Sequence, residues 1–179
     1  KYNKEVMLIY NKKLSVSPIT THIPLKYVNK NISVKKIVHK IKTINKFYKK
    51  KLHKTPRFAV TGLNPHCESN FNNSEEEKVI NPAIKILKKK YLKVKGPFSA
   101  DTLFIKKNLS QFDVVVGMYH DQVLTPLKTL FGFKAINLTL GLPFIRISSD
   151  HGPNNQMLGK KKSDTSSLKE SLIFLKKIK

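Results

Sequence analysis

The stretch Asp113-Val114-Val115-Val116-Gly117-Met118-Tyr119-His120-Asp121-Gln122 sets the architecture. Its valines are consecutive rather than alternating, which marks a strand buried on both faces, as in a parallel sheet covered by helices. Residues 121–130 then predict a short helix. Residues 135–140 predict a second strand, stopped by Gly141-Leu142-Pro143, and 145–148 a further one. Upstream, residues 57–63 form a short apolar run ending in the turn signal Gly62-Leu63-Asn64-Pro65. Between these strands lie helical patterns. Over residues 33–52, Val34, Ile37, Val38, Ile41, Ile44, Tyr48 and Leu52 recur at three-and-four spacing with lysines between them. Residues 75–91 start acidic and end basic, as a helix dipole prefers, and Pro82 either starts that helix or kinks it. Gly96-Pro97 breaks the chain. Residues 163–178 predict a closing helix with Leu168, Leu172, Phe174 and Leu175 on its apolar face. Residues 15–25, with Pro18 and Pro24, read as extended or turning, and 1–13 as a broken element or a frayed end. Strands alternating with amphipathic helices give an α/β fold with a mixed or largely parallel sheet.

Composition sets the outer limits. A chain of 179 residues with 40% hydrophobic content suits one packed domain. No apolar run is long enough to span a bilayer, and the first residues carry no secretory signal pattern, so the expected location is cytoplasmic. Cys67 is the sole cysteine, which excludes an intrachain disulfide. The net charge of +24 invites a nucleic-acid reading. Against it, only Arg57 and Arg146 among the 35 basic residues are arginine, and the lysines are spread along the chain. Sequence-specific readers use arginine forks and stacking aromatics. Lys, Asn and Ile share A/T-rich codons, so codon bias on solvated faces accounts for the charge better. The expectation is weak, salt-sensitive polyanion binding, with no specific nucleic acid and no membrane as partner.

The chemistry gathers at turns. Four of the six histidines, His22, His66, His120 and His151, lie at or near predicted strand ends, where open α/β sheets bind ligands. Histidines from separate loops suit a catalytic divalent ion. Spacing alone assigns no trio, and each histidine taken singly reads as a hydrogen-bonded loop residue. The local strings go further. Thr-Thr-His-Ile-Pro-Leu (20–25), Gly-Leu-Asn-Pro-His (62–66), Ala-Asp-Thr-Leu-Phe after Gly96-Pro97, Met-Tyr-His-Asp-Gln (118–122) and the run from Asn137 through Gly-Leu-Pro-Phe-Ile-Arg to Asp-His-Gly (150–152) occur in that order. Together they resemble the C-terminal half of the 4-hydroxythreonine-4-phosphate dehydrogenase family, from about residue 15 to the end.

The resemblance implies an isocitrate/isopropylmalate dehydrogenase-like α/β/α sandwich whose N-terminal portion is missing. Residues 1–14 would be a remnant of the connection between halves, and 15–179 the metal-, substrate- and NAD-binding portion. It implies His22, His66 and His120 as metal ligands for zinc, cobalt, manganese or magnesium. It implies Lys128, Asn137 and Arg146 as substrate contacts, Lys128 and Asp101 as catalytic groups, and Asp150, His151 and Gly152 as the NAD (or NADP) loop. The implied reaction oxidises 4-phosphooxy-L-threonine, with decarboxylation, to 3-amino-2-oxopropyl phosphate in vitamin B6 synthesis. Family enzymes are homodimers with the active site at the interface. Lys128 would stabilise the reacting oxygen or relay its proton, and Arg146, a rare arginine here, offers a fork for phosphate or carboxylate.

Three departures stand out. The family's Thr-Ala after His-Gly is replaced by Pro153-Asn154, and its Asp-Ile-Ala-Gly by Gln156-Met157-Leu158-Gly159. After His66, Ala-Gly-Glu becomes Cys67-Glu68-Ser69. Glu68 would strain a turn needing positive φ, and Cys67 is either a fourth metal donor or a small-residue replacement. The N-terminal half, with a His-Thr pair that contacts substrate, has no counterpart. Two alternatives follow: a truncated, catalytically impaired remnant of the enzyme, and a basic nucleic-acid-binding module supported by charge alone.

Overall fold

The computed structural model describes residues 4–67, 73–150, 159–160 and 164–178. Among these, seven strands form one sheet: β1 (Val6–Tyr10), β2 (Ser15–Pro18), β3 (Phe58–Thr61), β4 (Val94–Phe98), β5 (Val114–Gly117), β6 (Ile136–Leu140) and β7 (Arg146–Ser149). Their spatial order is β4-β3-β5-β2-β1-β6-β7. Strands β2 to β5 run parallel, while β1 is antiparallel to both its neighbours and β7 to β6. The sheet is therefore mixed, with the valine strand β5 near its centre, between β3 and β2.

Alternation along the strands builds two cores. Val6, Leu8, Phe58, Val60, Val114 and Val116 face one side. There they meet Ile37, Ile41 and Ile44 of α2 (Val34–Lys51), Ile84 and Leu87 of α3 (Asn81–Lys89), and Phe174 of α7 (Ser166–Lys177). Ile9, Val16, Ala59 and Val115 face the other side, against Leu103 of α4 (Ala100–Leu103) and Val123, Leu124 and Leu127 of α6 (His120–Phe131). Helices on both faces make the expected α/β/α sandwich. Short helices α1 (Val28–Asn31) and α5 (Lys106–Leu109) complete the set. Helix α2 follows its heptad-like pattern: Ile37, Ile41, Ile44 and Tyr48 are buried, and the Ser33 hydroxyl accepts the Lys36 amide as an N-cap. No described helix is long and apolar enough to cross a membrane.

The structure corrects several sequence expectations. Val6–Tyr10 is neither a broken element nor a frayed end but an interior strand, paired with β2 on one side and β6 on the other. Gly96-Pro97, read as a break, lies within β4, through a cis peptide bond. Strand β4 is at the sheet edge, where a missing N–H is tolerated. The helix predicted over residues 75–91 is in two parts, a π-helical turn at Glu76–Ile80 and then α3, with Pro82 in the first α turn, where its lost donor costs nothing. Helix α7 buries Ser167, Ser171, Phe174 and Ile178, and leaves Leu168, Leu172 and Leu175 exposed, so Phe174 alone of the predicted apolar face turns inward.

Candidate functional site

Because β2, β3, β4 and β5 are parallel, their C-terminal ends share one edge of the sheet. His22 follows β2, His66 follows β3, Asp101 follows β4 and His120 follows β5. Residues separated by tens of positions thus arrive at one edge, on adjacent strands. The His22 and His120 rings stand 5.4 Å apart, centroid to centroid. His66 Nδ1 lies 3.9 Å from Asp101 Oδ2. The Ser99 hydroxyl, then the Thr102 amide and nearby His66, hold the Asp101 carboxyl below its ordinary range although burial acts the other way. Among the described residues no three His, Cys, Asp or Glu side chains gather closely enough to hold a metal ion. One chain therefore brings together two of the three expected imidazoles, with the third beside Asp101.

Each histidine sits on a shaped segment. The His120 Nδ1 is 2.7 Å from Asp121 Oδ1, which leaves Nε2 for any further partner. A carboxylate on the far side of an imidazole is the usual way a metal ligand is oriented. His66 and Cys67 both have positive φ, 56° and 55°. Two successive non-glycine residues in that region make a strained turn, and strain of this kind collects at functional sites. The strain lies at His66 and Cys67; Glu68, where it was expected, is outside the described residues. Glu76 anchors the turn. Its buried carboxylate accepts the Leu63 amide (2.8 Å), the Asn64 amide (2.9 Å) and the Asn64 side-chain amide (2.8 Å). Burial pushes its pKa up, and these hydrogen bonds outweigh that and hold it low. Burial pushes the Cys67 thiol up.

The remaining expected residues lie around β6, β7 and α6. Lys128 Nζ is 3.1 Å from Asp150 Oδ2. Asp150 is buried, and its amide donates to Ser167 Oγ (2.8 Å). Asn137 is on β6 beside Ile9 and Ser148. Its Oδ1 is buried and has no hydrogen-bond partner among the described residues. Arg146 opens β7, and its Nη1 donates to Thr139 Oγ1 (2.7 Å). Strand β6 runs in the same direction as β2, so Arg146 begins at the edge that carries the histidines. His151 and Gly152 of the expected cofactor loop lie outside the described residues, as do Pro153, Asn154 and residues 156–158. Asp121, Gln122, Glu76 and Ser167 are polar groups to which sequence alone gives no role. The signal for the first two is their place directly after His120 at the end of a buried strand.

The donor set suits a borderline divalent cation. Two imidazoles, one oriented by a carboxylate, are typical zinc- or cobalt-type ligands. The Asn137 oxygen, without a partner among the described residues, is a second polar group that could meet a donor from a bound molecule.

The chain matches the family model described as pyridoxal phosphate biosynthetic protein PdxA over residues 1–174. A 4-hydroxythreonine-4-phosphate dehydrogenase from Sulfurihydrogenibium sp. (strain YO3AOP1) is 45% identical over 178 residues, covering 97% of this chain and 55% of the relative. That from Vibrio parahaemolyticus is 42% identical over 170 residues, covering 93% and 51%. The crystal structure of the Klebsiella pneumoniae 4-hydroxythreonine-4-phosphate dehydrogenase superposes with a TM-score of 0.83 at 35% identity, over 98% of this chain and 54% of that one. The chain spans about half the length of the relatives it matches.

Proposed function

We propose that this chain, which belongs to the PdxA family of pyridoxal phosphate biosynthetic proteins, forms the metal- and substrate-binding side of a 4-hydroxythreonine-4-phosphate dehydrogenase. The reaction is the NAD-dependent oxidation and decarboxylation of 4-phosphooxy-L-threonine to 3-amino-2-oxopropyl phosphate. One observation carries the reading: the histidine-bearing turns meet at one sheet edge, with two imidazoles 5.4 Å apart. Two imidazoles sharing a tetrahedral ion at bond lengths of about 2.1 Å have their centroids about 5 Å apart.

In this reading His22 and His120 hold a divalent ion, and Asp121 fixes the His120 ring. The ion would supply Lewis-acid polarisation of the substrate's oxygen. His66 completes the ligand set from a second copy of the chain, since within one chain it stands with Asp101 instead. Lys128, now paired with Asp150, would donate a hydrogen bond to the reacting oxygen of the substrate. Asn137 Oδ1 accepts a hydrogen bond from a substrate donor. The Arg146 fork exchanges Thr139 for the substrate's phosphate or carboxylate. NAD is assigned on the sequence Asp150-His151-Gly152, and Asp150, held by Lys128 and Ser167, would anchor the start of that loop.

Calorimetric titration of zinc into the purified chain tests this. His22→Ala and His120→Ala should each abolish tight binding. A mixture of His66→Ala and His120→Ala chains should regain part of it by forming shared sites. Zinc affinity unchanged by His120→Ala would overturn the metal assignment, and no regain in the mixture would overturn the shared site.

A further inference from the structure

Gln122 lies in the first turn of α6, two positions after His120, and its side-chain amide makes three hydrogen bonds. Its Oε1 accepts the Met118 amide (2.7 Å) and the Thr61 hydroxyl (2.9 Å). Its Nε2 donates to the Gly62 carbonyl (2.9 Å). Met118 N–H can only donate and Gly62 O can only accept, so the partners fix which end is oxygen. The same residue is held through its carbonyl as well. The Met118 carbonyl accepts both the amide (3.1 Å) and the hydroxyl (2.7 Å) of Thr20. Thr20 is two residues before His22, and Gly62 is four before His66. The three histidine-bearing segments thus converge on the Met118 backbone, and Gln122 supplies the link to the His66 side. Thr61 and Met118 are fully buried, so these bonds are shielded from water. Gly117 leaves the space: a Cβ there would come within 3.0 Å of Gln122 Oε1 and 2.4 Å of Val123 Cγ1.

We propose that Gln122 is a positioning residue of the paired metal sites: by clamping the end of β3 to the end of β5 it fixes the His66 turn, which serves the ion of the second copy, relative to His120, which serves the ion of its own chain. The proposal rests on the metal reading above. A side chain of similar volume without the amide would fill the same space. It would leave the Met118 amide and the Gly62 carbonyl unpaired, and the two strand ends would be free to shift apart. Ligand geometry is intolerant of such shifts, and loss of an orienting partner typically costs about 10- to 100-fold in metal affinity.

Cobalt(II) is the probe, because its visible absorption reports coordination geometry as well as occupancy. The wild-type chain, Gln122→Met, Thr61→Val and the control His120→Ala would be titrated, with thermal unfolding measured on each. The expected result is cobalt affinity about 10- to 100-fold weaker in Gln122→Met, with altered visible bands. Thr61→Val, which removes one of the three bonds, should lose less. If Gln122→Met unfolds, Thr61→Val decides alone: weaker affinity and altered bands support the clamp, and wild-type values overturn it. Variants with lowered melting temperature but wild-type affinity and bands would reduce Gln122 to a structural residue and overturn the proposal. If the wild-type chain takes up no cobalt, or His120→Ala binds equally well, the metal reading itself falls and the proposal with it.

Discussion

At the scale of single residues, the site is marked by polar atoms whose partners are unusual or missing. Asn137 Oδ1 is buried without a hydrogen bond among the described residues, and an unmet buried acceptor costs about 1–3 kcal/mol. Removing it should not weaken the fold. Asn137→Ala is expected to keep or raise the chain's stability in urea while raising KM for the phosphorylated substrate. A clear loss of stability would mean that Asn137 already has a structural partner and is no substrate contact. Glu76 is the opposite case, a buried carboxylate whose three hydrogen bonds are all spent on the turn that presents His66. The two residues show why polar burial is more informative here than exposure: one buried oxygen has no partner among the described residues, and the Glu76 carboxylate shapes the turn that carries His66.

At the scale of elements, what the sequence made legible followed hydrophobic period. The valine run of β5 and the spacing of Ile37, Ile41, Ile44 and Tyr48 in α2 could be read because burial there coincides with apolar character. The failures occurred where it does not. Strand β4 contains Gly96 and Pro97, residues that usually end strands but are tolerated at an edge. Strand β1 is short and set among lysines, and only pairing on both sides reveals it as interior. Helix α7 buries two serines in place of its leucines, because the serines have partners to meet. Of the site, the histidines and Asp101 were legible through motif strings, but their common edge required the parallel strand order. Gln122 and Glu76 act through backbone groups, which leave no trace in residue type. Ser167 carries a prediction at this scale. Its hydroxyl donates to the Ala135 carbonyl (2.6 Å) and accepts the Asp150 amide (2.8 Å), joining α7 to the chain on either side of β6 and β7. Ser167→Ala leaves both groups unpaired in a buried position. It should cost about 2 kcal/mol in urea unfolding and weaken NAD binding, measured by fluorescence quenching. A variant as stable as wild type would show that water or another side chain replaces the hydroxyl.

At the scale of the whole molecule, the balance of charge governs how the fold responds to its surroundings. The chain has 35 basic residues and 11 acidic ones, so it repels itself and has few carboxylates to offset the repulsion. Of the two arginines, Arg57 pairs with Asp113 and Arg146 donates one hydrogen bond to Thr139. Asp113 is one carboxylate through which folding couples to pH. Burial alone would raise its pKa, but hydrogen bonds from Arg57 and Lys54 carry it down from 3.8 to about 2. Those partners tie the start of β5 to the segment leading into β3, through the Arg57 amide at 2.8 Å as well as the side chains. A carboxyl whose pKa is depressed by folding stabilises the fold fully above its ordinary value. That contribution is lost as pH falls through the folded-state value, so here it fades from about pH 4 towards pH 2 as self-repulsion grows. Acid unfolding of the wild-type chain should therefore steepen in that window, and added sodium chloride should move the midpoint to lower pH by screening the repulsion between lysines. Asp113→Asn should be less stable at pH 7 and show a flatter response below pH 4, with the salt effect retained. Circular dichroism melts across pH at low and physiological ionic strength separate the two contributions. If Asp113→Asn steepens like wild type, the acid sensitivity belongs to other carboxylates. If salt leaves the midpoint unmoved, the excess lysine charge is too well solvated to strain the fold.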